Sequence, residues 1–513
     1  MTSDTPAPAN GLASRSITAA SWEFGSVIGQ AVMQLGVMAV LARLIPPSGF
    51  GLFAIVNTSI VLISLVAEIG VGSAVVQRRT LTESFLDTAF LISIGLGALG
   101  TVLMWFGSPL IAHFFKQPAV VPMVRVAGFA LLITGYVTVA QALLERELVF
   151  KKLAIVNVAS YAVGYGLIGT ALAILRAGAW AIVFASLAQN LIRAGMLLKM
   201  TGRRSARTFS REDGKSIFRF CAGLSLGKIF NSLAGQVDFL VVGRVMGAVP
   251  LGLYQMGNQI MDLPRRFLVG VIDRVMYSAF TRIQDEEARM RAAYAQALEL
   301  ANAVLVPLAA FMIIVAPEAV GLVLGDKWKD LVRPLQIMLL QVPLRASVRM
   351  GDITGTAVGK VYTVGFLKVA YAAMIGLAAL SGVRWGLTGV TWAVTLAVLL
   401  NLVMMVRFTM TQVRVSVPDY GRTWLPGLRL GAIVAAVALP CALIMRRSAG
   451  SGILTFAAII AATGLAVGAA VWLRPRTMGG AAFQVVMDFG RRFPAFSPIS
   501  RSLQKRGLRR TEP

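Results

Sequence analysis

The stretch Leu41-Ala-Arg-Leu-Ile-Pro-Pro-Ser-Gly-Phe-Gly-Leu-Phe53 occurs twice in this sequence in a loosely repeated form. The second copy is Val242-Gly-Arg-Val-Met-Gly-Ala-Val-Pro-Leu-Gly-Leu-Tyr254. At a constant offset of 201 residues, the aligned pairs include Arg43 with Arg244 and Gly51 with Gly252. Each copy follows one long apolar segment and precedes another, so the repeat predicts two equivalent halves with the two arginines in equivalent places.

The composition around this repeat is that of a membrane protein. Hydrophobic residues make up 57% of the chain and charged residues 14%, and the mean hydropathy is +0.74. Repeated apolar runs of eighteen or more residues match the roughly 20 residues that a helix needs to cross the hydrocarbon. Transmembrane barrels use strands of about ten residues with alternating polarity, which these runs are not. The sequence therefore predicts an all-α, polytopic membrane protein.

About fourteen transmembrane helices are predicted, and an even number places both termini on one side of the membrane. Spans nine and ten are the most polar, so twelve crossings are the alternative. The predicted spans are 17–42, 51–76, 87–112, 122–144, 154–175, 178–198, 217–243, 250–276, 292–324, 332–354, 361–381, 387–409, 427–446 and 452–473.

The repeat defines the predicted domain organisation. Six spans per copy is an even number, which makes the two repeats parallel, related by an axis along the membrane normal. The predicted domains are an N-terminal cytoplasmic tail (1–16), a first six-helix lobe (17–200), a basic cytoplasmic linker (201–216), a second six-helix lobe (217–410), two additional spans (411–473) and a basic cytoplasmic tail (474–513).

Both copies of the repeat, with their flanks, resemble one known family. Leu41 to Gly51, followed by Glu68-Ile-Gly-Val-Gly-Ser-Ala-Val-Val-Gln-Arg78, is similar to the start of bacterial polysaccharide flippases of the Wzx type. Gln236 to Arg244, with Leu251-Gly-Leu-Tyr254 and Leu263-Pro264, resembles the same family. The similarity covers roughly residues 15 to 475.

The resemblance implies the fold of the multidrug/oligosaccharidyl-lipid/polysaccharide exporter superfamily, with two pseudo-symmetric six-helix lobes around a central cavity and two further helices. It implies a flippase of the bacterial inner membrane without catalytic residues or cofactors. The implied cargo is an undecaprenyl-diphosphate-linked oligosaccharide for O-antigen, capsule or exopolysaccharide assembly. The implied partners are this lipid-linked oligosaccharide, membrane lipids, and the polymerase and glycosyltransferases of the same pathway.

Basic residues inside the predicted spans of the second lobe are the strongest functional signal. Ionisable side chains in a membrane are costly, so they usually face a cavity or one another. Arginine forks match phosphate oxygens and lysine offers a point charge, so we expect these residues to bind a lipid diphosphate, with Lys228 and Arg265 facing the space between the lobes. The alternatives are snorkelling of Arg345 and Arg349 to the inner surface and neutralisation by carboxylates such as Asp262. The predicted cationic residues are Lys228, Arg265, Arg266, Arg345, Arg349 and Lys368.

Two further sets of polar residues lie within the predicted spans. The carboxylates either pair with cations and hold the protein together or couple transport to an ion or proton; they are Glu23, Glu68, Asp238 and Glu299. The amides either line a path for sugar hydroxyls or form interhelical hydrogen bonds; they are Gln30, Gln34, Asn231, Gln255, Asn258 and Gln259.

Several other functions are disfavoured. The net charge is +26, but the basic residues lie between and within the predicted membrane spans and do not form a soluble basic face. Nucleic acid is therefore not an expected partner. His113 is the only histidine, which disfavours metal sites of several imidazoles and histidine-based triads. Two glycine patterns, at 95–100 and 164–169, match the dinucleotide fingerprint but lie in apolar helices, where helix packing is the better interpretation. An antiporter of cationic drugs would need an acidic cavity, and a membrane polymerase or glycosyltransferase would need a large external loop or an acidic metal-binding domain.

Both termini are predicted to be cytoplasmic, because Lys and Arg are about three times as numerous in the proposed inside segments as in the outside ones. Fusions of green fluorescent protein at either end should fluoresce, and alkaline phosphatase at the same positions should be inactive. Phosphatase activity at either terminus would contradict an even number of spans.

Overall fold

The computed structural model describes residues 29–30, 32–67, 70–147, 149–202, 208–283, 286–447 and 452–473, and this part of the chain is helical with no β-strand. It divides into two compact units, Met1–Gly252 and Leu253–Pro513. The helices that begin in the first unit are α1 (Val32–Leu44), α2 (Pro47–Ala67), α3 (Val71–Gln77), α4 (Glu83–Phe115), α5 (Val120–Arg146), α6 (Phe150–Tyr161), α7 (Thr170–Ile174), α8 (Ala179–Thr201), α9 (Arg211–Ala234), α10 (Val237–Met246) and α11 (Ala248–Arg282).

The second unit contains the end of α11 and seven further helices. A π-helical segment, Val320–Leu324, extends α12, just as Ala162–Gly169 joins α6 to α7 in the first unit. The helices of the second unit are α12 (Glu287–Ala319), α13 (Val332–Ala357), α14 (Val361–Gly382), α15 (Gly386–Val413), α16 (Val417–Arg422), α17 (Leu425–Arg447) and α18 (Gly452–Leu473).

The prediction of a multi-pass, all-α membrane protein is confirmed. Within the described residues, nine segments are long and apolar enough to span a membrane; the predicted total of fourteen stays a prediction. One of the nine, Val361–Val413, contains both α14 and α15. The nine are Pro47–Leu65, Glu83–Phe115, Val120–Arg146, Lys151–Ile174, Ala179–Thr201, Glu287–Leu324, Val361–Val413, Val417–Arg447 and Ile453–Ala470.

Three long helices of the described chain are too polar to be among these nine segments. They are α9, α11 and α13, with 24, 35 and 26 residues. They correspond to the predicted spans seven, eight and ten, and they carry all of the predicted cationic residues except Lys368. A polar helix in a membrane protein requires protein or water on its polar face, so we do not expect the polar faces of these three helices to contact lipid.

The two copies of the repeat contact each other reciprocally. A Cβ atom on Gly51 would lie 1.7 Å from the carbonyl oxygen of Ala248, and one on Gly252 would lie 1.9 Å from the carbonyl oxygen of Pro47. Pro47 and Ala248 are themselves counterparts at the offset of 201, and they begin α2 and α11. The glycine of each copy thus contacts the first residue of the helix in the other copy. A contact that is repeated in this way has local two-fold symmetry. The repeat found in the sequence therefore marks equivalent helix starts.

Two predicted spans are broken in the structure. The span predicted at 51–76 consists of α2 and α3, and Gly70 between them has a φ of +79°, a backbone conformation that favours glycine. The span predicted at 217–243 consists of α9 and α10, separated by a turn at Gly235-Gln236. Long apolar runs flank both breaks, so hydropathy averaged over a whole span did not reveal them.

One glycine of each pattern, Gly97 and Gly164, lies in close contact with the backbone of a neighbouring helix, whereas Gly95 faces open space. A Cβ atom on Gly97 of α4 would lie 2.6 Å from the carbonyl oxygen of Leu131 in α5, and one on Gly135 would lie 2.4 Å from that of Ser93. Gly164 likewise lies against the backbone of Gln189 in α8. The small residues allow close backbone approach, which drives helix association where lipid offers no hydrophobic effect.

The end of the basic linker is fastened to the first unit. The backbone N–H and hydroxyl of Thr208 both donate to the Asp87 carboxylate at 3.2 Å. Asp213, in the first turn of α9, forms a 3.1 Å ion pair with Arg78. Helix α9 begins at Arg211, inside the segment predicted as linker, and it belongs to the first compact unit. The predicted lobe boundaries at 200 and 217 stay a prediction.

In the second unit, α17 packs closely along α12. A Cβ atom on Gly427 would lie 2.3 Å from the carbonyl oxygen of Asn302, and Arg446 pairs with Glu318 through two nitrogens. The two additional spans therefore belong to the core of this unit, with Val434, Ala438 and Ile459 buried against Val315.

Substitution of Gly51 should separate the two copies of the repeat. We expect Gly51→Val and Gly252→Val each to lower the free energy of unfolding by about 2 kcal/mol, because a side chain cannot be placed without moving the backbone. Gly195→Ala in α8 is the control, since open space surrounds that glycine. Thermal unfolding of the purified protein in detergent measures the effect. Equal unfolding temperatures for the Gly51 and Gly195 variants would show that the contact is not needed.

Candidate substrate-binding site

Three of the six predicted cationic residues have described side chains, and all three belong to the second unit. Arg345 and Arg349 are on α13, and Lys368 is on α14; we call these three residues the cationic cluster. Arg345, Arg349 and Asp352 are four and three residues apart, a spacing that places them on one helical face. Arg345 lies about 20 Å along α13 from its first residue, at 1.5 Å per residue. Arg345 and Arg349 therefore lie in the second half of α13.

Arg345 is held by a buried glutamine. Its Nε and one terminal nitrogen donate to Oε1 of Gln341 at 3.0 and 2.9 Å. The Gln341 amide donates in turn to the Thr395 hydroxyl of α15 at 2.8 Å. Gln341 precedes Arg345 by one turn, so the guanidinium points back along α13 and not toward its C-terminal end. Under the predicted topology, snorkelling to the inner surface would require the opposite direction.

Lys368 and Arg349 both approach Asp352. The Lys368 ammonium lies 3.3 Å from one Asp352 oxygen, and their side chains are 18% and 11% exposed. Arg349 lies 4.0 Å from the same oxygen and is 42% exposed. Sequence reasoning missed Asp352 as a span carboxylate, although it lies within the predicted span 332–354. Its spacing of three residues from Arg349 was the available signal.

The charge of this region is strongly positive in the sequence. From Val332 to Val413 the only carboxylate is Asp352. The basic residues of this stretch are Arg333, Arg345, Arg349, Lys360, Lys368, Arg384 and Arg407. A region of this composition favours anions, and a planar guanidinium fixed by its neighbours is well suited to a phosphate group.

Three cationic candidates remain besides the cluster. The side chains of Lys228, Arg265 and Arg266 lie outside the described residues, although the helices that carry them, α9 and α11, are described.

Two groups of predicted polar residues are partly described. Gln30, Gln34, Gln255 and Gln259 are half-buried, and Asn258 donates to the Tyr254 carbonyl of its own helix at 3.0 Å. Asp238 is buried near the start of α10, where it accepts from the Phe239 N–H at 3.0 Å, and Glu299 is half-buried in α12. Asn231, Glu23 and Glu68 lie outside the described residues or side chains. Their assignment to sugar binding or ion coupling stays a prediction.

A family model described as "Polysaccharide biosynthesis protein" matches residues 40–333, more than half of the chain. The chain belongs to this family. One relative is the lipopolysaccharide biosynthesis protein WzxC of Escherichia coli (strain K12). It is 25% identical to this chain over 344 residues, which cover 65% of this chain and 68% of WzxC.

Two solved structures show the same fold as this polysaccharide biosynthesis family member. The lipid II flippase MurJ, in an inward closed conformation, gives a TM-score of 0.68 at 12% identity and covers 89% of this chain and 99% of MurJ. An inward-facing multidrug resistance transporter of the MATE family, in the MOP superfamily, gives 0.63 at 18% identity, covering 75% of this chain and 94% of the transporter. The predicted superfamily fold is confirmed. The likeness does not choose between the cargoes of these two transporters.

Asp352 should be needed for stability. We expect Asp352→Asn to lower the free energy of unfolding by about 3 kcal/mol, since it leaves a largely buried lysine without its carboxylate. The control is Asp326→Asn, because Asp326 and its partner Lys329 are 85% and 71% exposed and such pairs contribute less than about 1 kcal/mol.

A double variant separates the ion pair from other effects of the Asp352 substitution. Asp352→Asn combined with Lys368→Met should recover part of the lost stability, because the buried lysine charge is removed as well. Thermal unfolding in detergent reports both effects. If the Asp352 and Asp326 variants unfold at the same temperature, the pair contributes nothing.

Proposed function

We propose that this protein is a flippase that moves an undecaprenyl-diphosphate-linked oligosaccharide from the inner to the outer leaflet of the bacterial inner membrane, by alternating access. The product would serve assembly of O-antigen, capsule or exopolysaccharide. The observation that carries the proposal is the cationic cluster on the polar helix α13 and its neighbour α14, in a stretch with one carboxylate.

The cluster supplies the groups that a diphosphate requires. Arg345 is oriented by Gln341 and is aimed along α13, so little side-chain entropy is lost when it binds phosphate. Arg349 and Lys368 add positive charge, and Asp352 holds them in place. By the same chemistry, Lys228, Arg265 and Arg266 are proposed to contribute to diphosphate binding. Translocation needs no covalent step, so we propose that the protein is not an enzyme.

Family membership supports the oligosaccharide part of the cargo. The matched family is described by polysaccharide biosynthesis, and a relative is named for lipopolysaccharide biosynthesis. The shared fold of a lipid II flippase supports transport of a lipid-linked sugar. The functional partners that we propose are the polymerase and the glycosyltransferases of the same polysaccharide pathway. We also propose that both termini lie in the cytoplasm.

The second candidate is an antiporter of cationic drugs, which the likeness to a multidrug transporter raises. A cationic cargo needs acidic residues where it binds, whereas the stretch from Val332 to Val413 is basic. The charge balance favours the anionic lipid.

We propose that four carboxylates couple transport to an ion: Asp238, Glu299, Glu23 and Glu68.

Removing the guanidinium of Arg345 should slow transport. The probe is undecaprenyl diphosphate carrying one N-acetylglucosamine, and its transbilayer movement is measured in proteoliposomes that contain the full-length protein. We expect Arg345→Ala to lower the rate about tenfold, the equivalent of one charge-assisted contact. The rate of Arg345→Lys should lie between those of the unmodified protein and Arg345→Ala, because lysine keeps the charge but cannot donate two parallel hydrogen bonds.

The matched control is Arg384→Ala, which removes the same charge from the exposed turn between α14 and α15. Rates are divided by the amount of folded protein, determined by thermal unfolding. Equal rates per folded molecule for the Arg345 and Arg384 variants would mean that the cluster does not bind the cargo.

A further inference from the structure

A cavity of about 240 Å³ lies in the first unit, beside the break in the second span. Its walls are Gly70 with the start of α3, Ser93 in the first third of α4, and the second half of α5. Among the residues that the structure describes, no predicted site residue lines it. Irregular backbone at membrane depth is tolerated where it is buried in protein or lines a cavity, and the turn at Gly70 is such a segment.

Most of the cavity's polar atoms are hydrogen-bond acceptors. The hydroxyls of Thr134 and Thr138 donate to carbonyl oxygens of their own helix, at 2.8 Å each, so their oxygens can accept from a guest. Glu145 adds a carboxylate, which accepts from the Gln141 amide at 2.7 Å. A terminal nitrogen of Arg193 in α8 donates to Oε1 of Gln141 at 3.1 Å and so fixes the orientation of the Gln141 amide. The cavity is thus built to receive donors.

Ser93 gives independent evidence for a guest. It lines the cavity, is 4% exposed, and its hydroxyl has no hydrogen-bond partner within the described part of the chain. Buried hydroxyls without partners are rare in proteins, because burial costs the hydrogen bonds to water. A bound molecule with hydroxyl groups would supply the missing bond.

Size and charge restrict the class of guest. The volume of the cavity is about 240 Å³. A dehydrated metal ion with ligands at about 2–2.6 Å would leave most of this space empty. A phosphate would be repelled by Glu145, and an apolar group would leave Ser93 unsatisfied. Pockets for drug-sized ligands begin near ~300 Å³, so a single sugar ring with its hydroxyls fits best.

We infer that this cavity is a monosaccharide subsite, in which Ser93, Gln141 and Glu145 hold hydroxyl groups of one sugar of the cargo. The inference rests on the proposed function and extends it, since it assigns one sugar of the cargo to a pocket formed by α3, α4 and α5. With cytoplasmic termini, the cavity lies in the inner half of the membrane, where the cargo is loaded.

The test compares binding of lipids with and without a sugar. The probes are undecaprenyl diphosphate and the same lipid carrying one glucose, galactose or N-acetylglucosamine, and native mass spectrometry of the full-length protein in detergent gives their affinities. We expect at least one glycosylated lipid to bind more tightly than the bare lipid. Ser93→Ala should weaken that lipid about fivefold and Glu145→Gln about tenfold, without changing affinity for the bare lipid.

The matched control is Ser59→Ala in α2, because Ser59 is also buried but donates to its own helix at the Ile55 carbonyl and is outside the cavity. Thermal unfolding distinguishes a structural role for Ser93. Loss of an unpaired hydroxyl should leave stability equal or higher, whereas a structural serine would lower it.

Two results would overturn the subsite and leave the proposed function standing. In one, no glycosylated lipid binds more tightly than the bare lipid. In the other, Ser93→Ala and Ser59→Ala have the same affinities for all four lipids. Failure of the unmodified protein to bind even undecaprenyl diphosphate would overturn the proposed function itself, and the subsite with it.

Discussion

Hydrocarbon provides no hydrogen-bond partners, and this constraint governs the whole architecture. Every backbone polar group in a spanning segment must be satisfied within the protein, which leaves long helices as the solution for this chain. Helices in lipid gain no hydrophobic energy by meeting, so they associate through close contact. The reciprocal contact of Gly51 and Gly252 shows this requirement most clearly, because each glycine lies where no side chain could be placed.

The same constraint gives meaning to the two broken spans. A break exposes carbonyl and amide groups, and it persists only where protein or a polar cavity surrounds it. The break at Gly70 borders the cavity of the first unit, and the break at Gly235-Gln236 is followed by the buried Asp238. Irregular backbone in this protein therefore occurs beside polar side chains.

The polar side chains within the two units differ in chemical type. In the second unit, basic residues predominate and Asp352 orders two of them, an arrangement suited to a diphosphate. In the first unit, a cavity of hydroxyl, amide and carboxylate groups suits neutral hydroxyls. A lipid-linked sugar has both kinds of group. We therefore propose one site for the diphosphate and another for a sugar of the cargo.

The sequence by itself determined the fold class, the family and the positions of most helices. The reason is that the need for some twenty apolar residues per crossing leaves a signal in any single chain. The repeat at an offset of 201 also identified the equivalent starts of α2 and α11. The density of basic residues in α13 and α14 could be read directly, since charges within apolar runs are rare.

The tertiary structure decided which of these polar residues meet. Asp352 pairs with Lys368, sixteen positions away on the next helix, and Gln341 joins Arg345 to Thr395 on α15. The cavity around Ser93 brings together residues from three elements, and nothing in their local sequence marks them. Hydropathy and helical period describe one segment at a time, whereas pairing and cavities depend on how helices are rotated about their axes. That rotation is set by side-chain packing between helices, and it is visible only when the chain is folded.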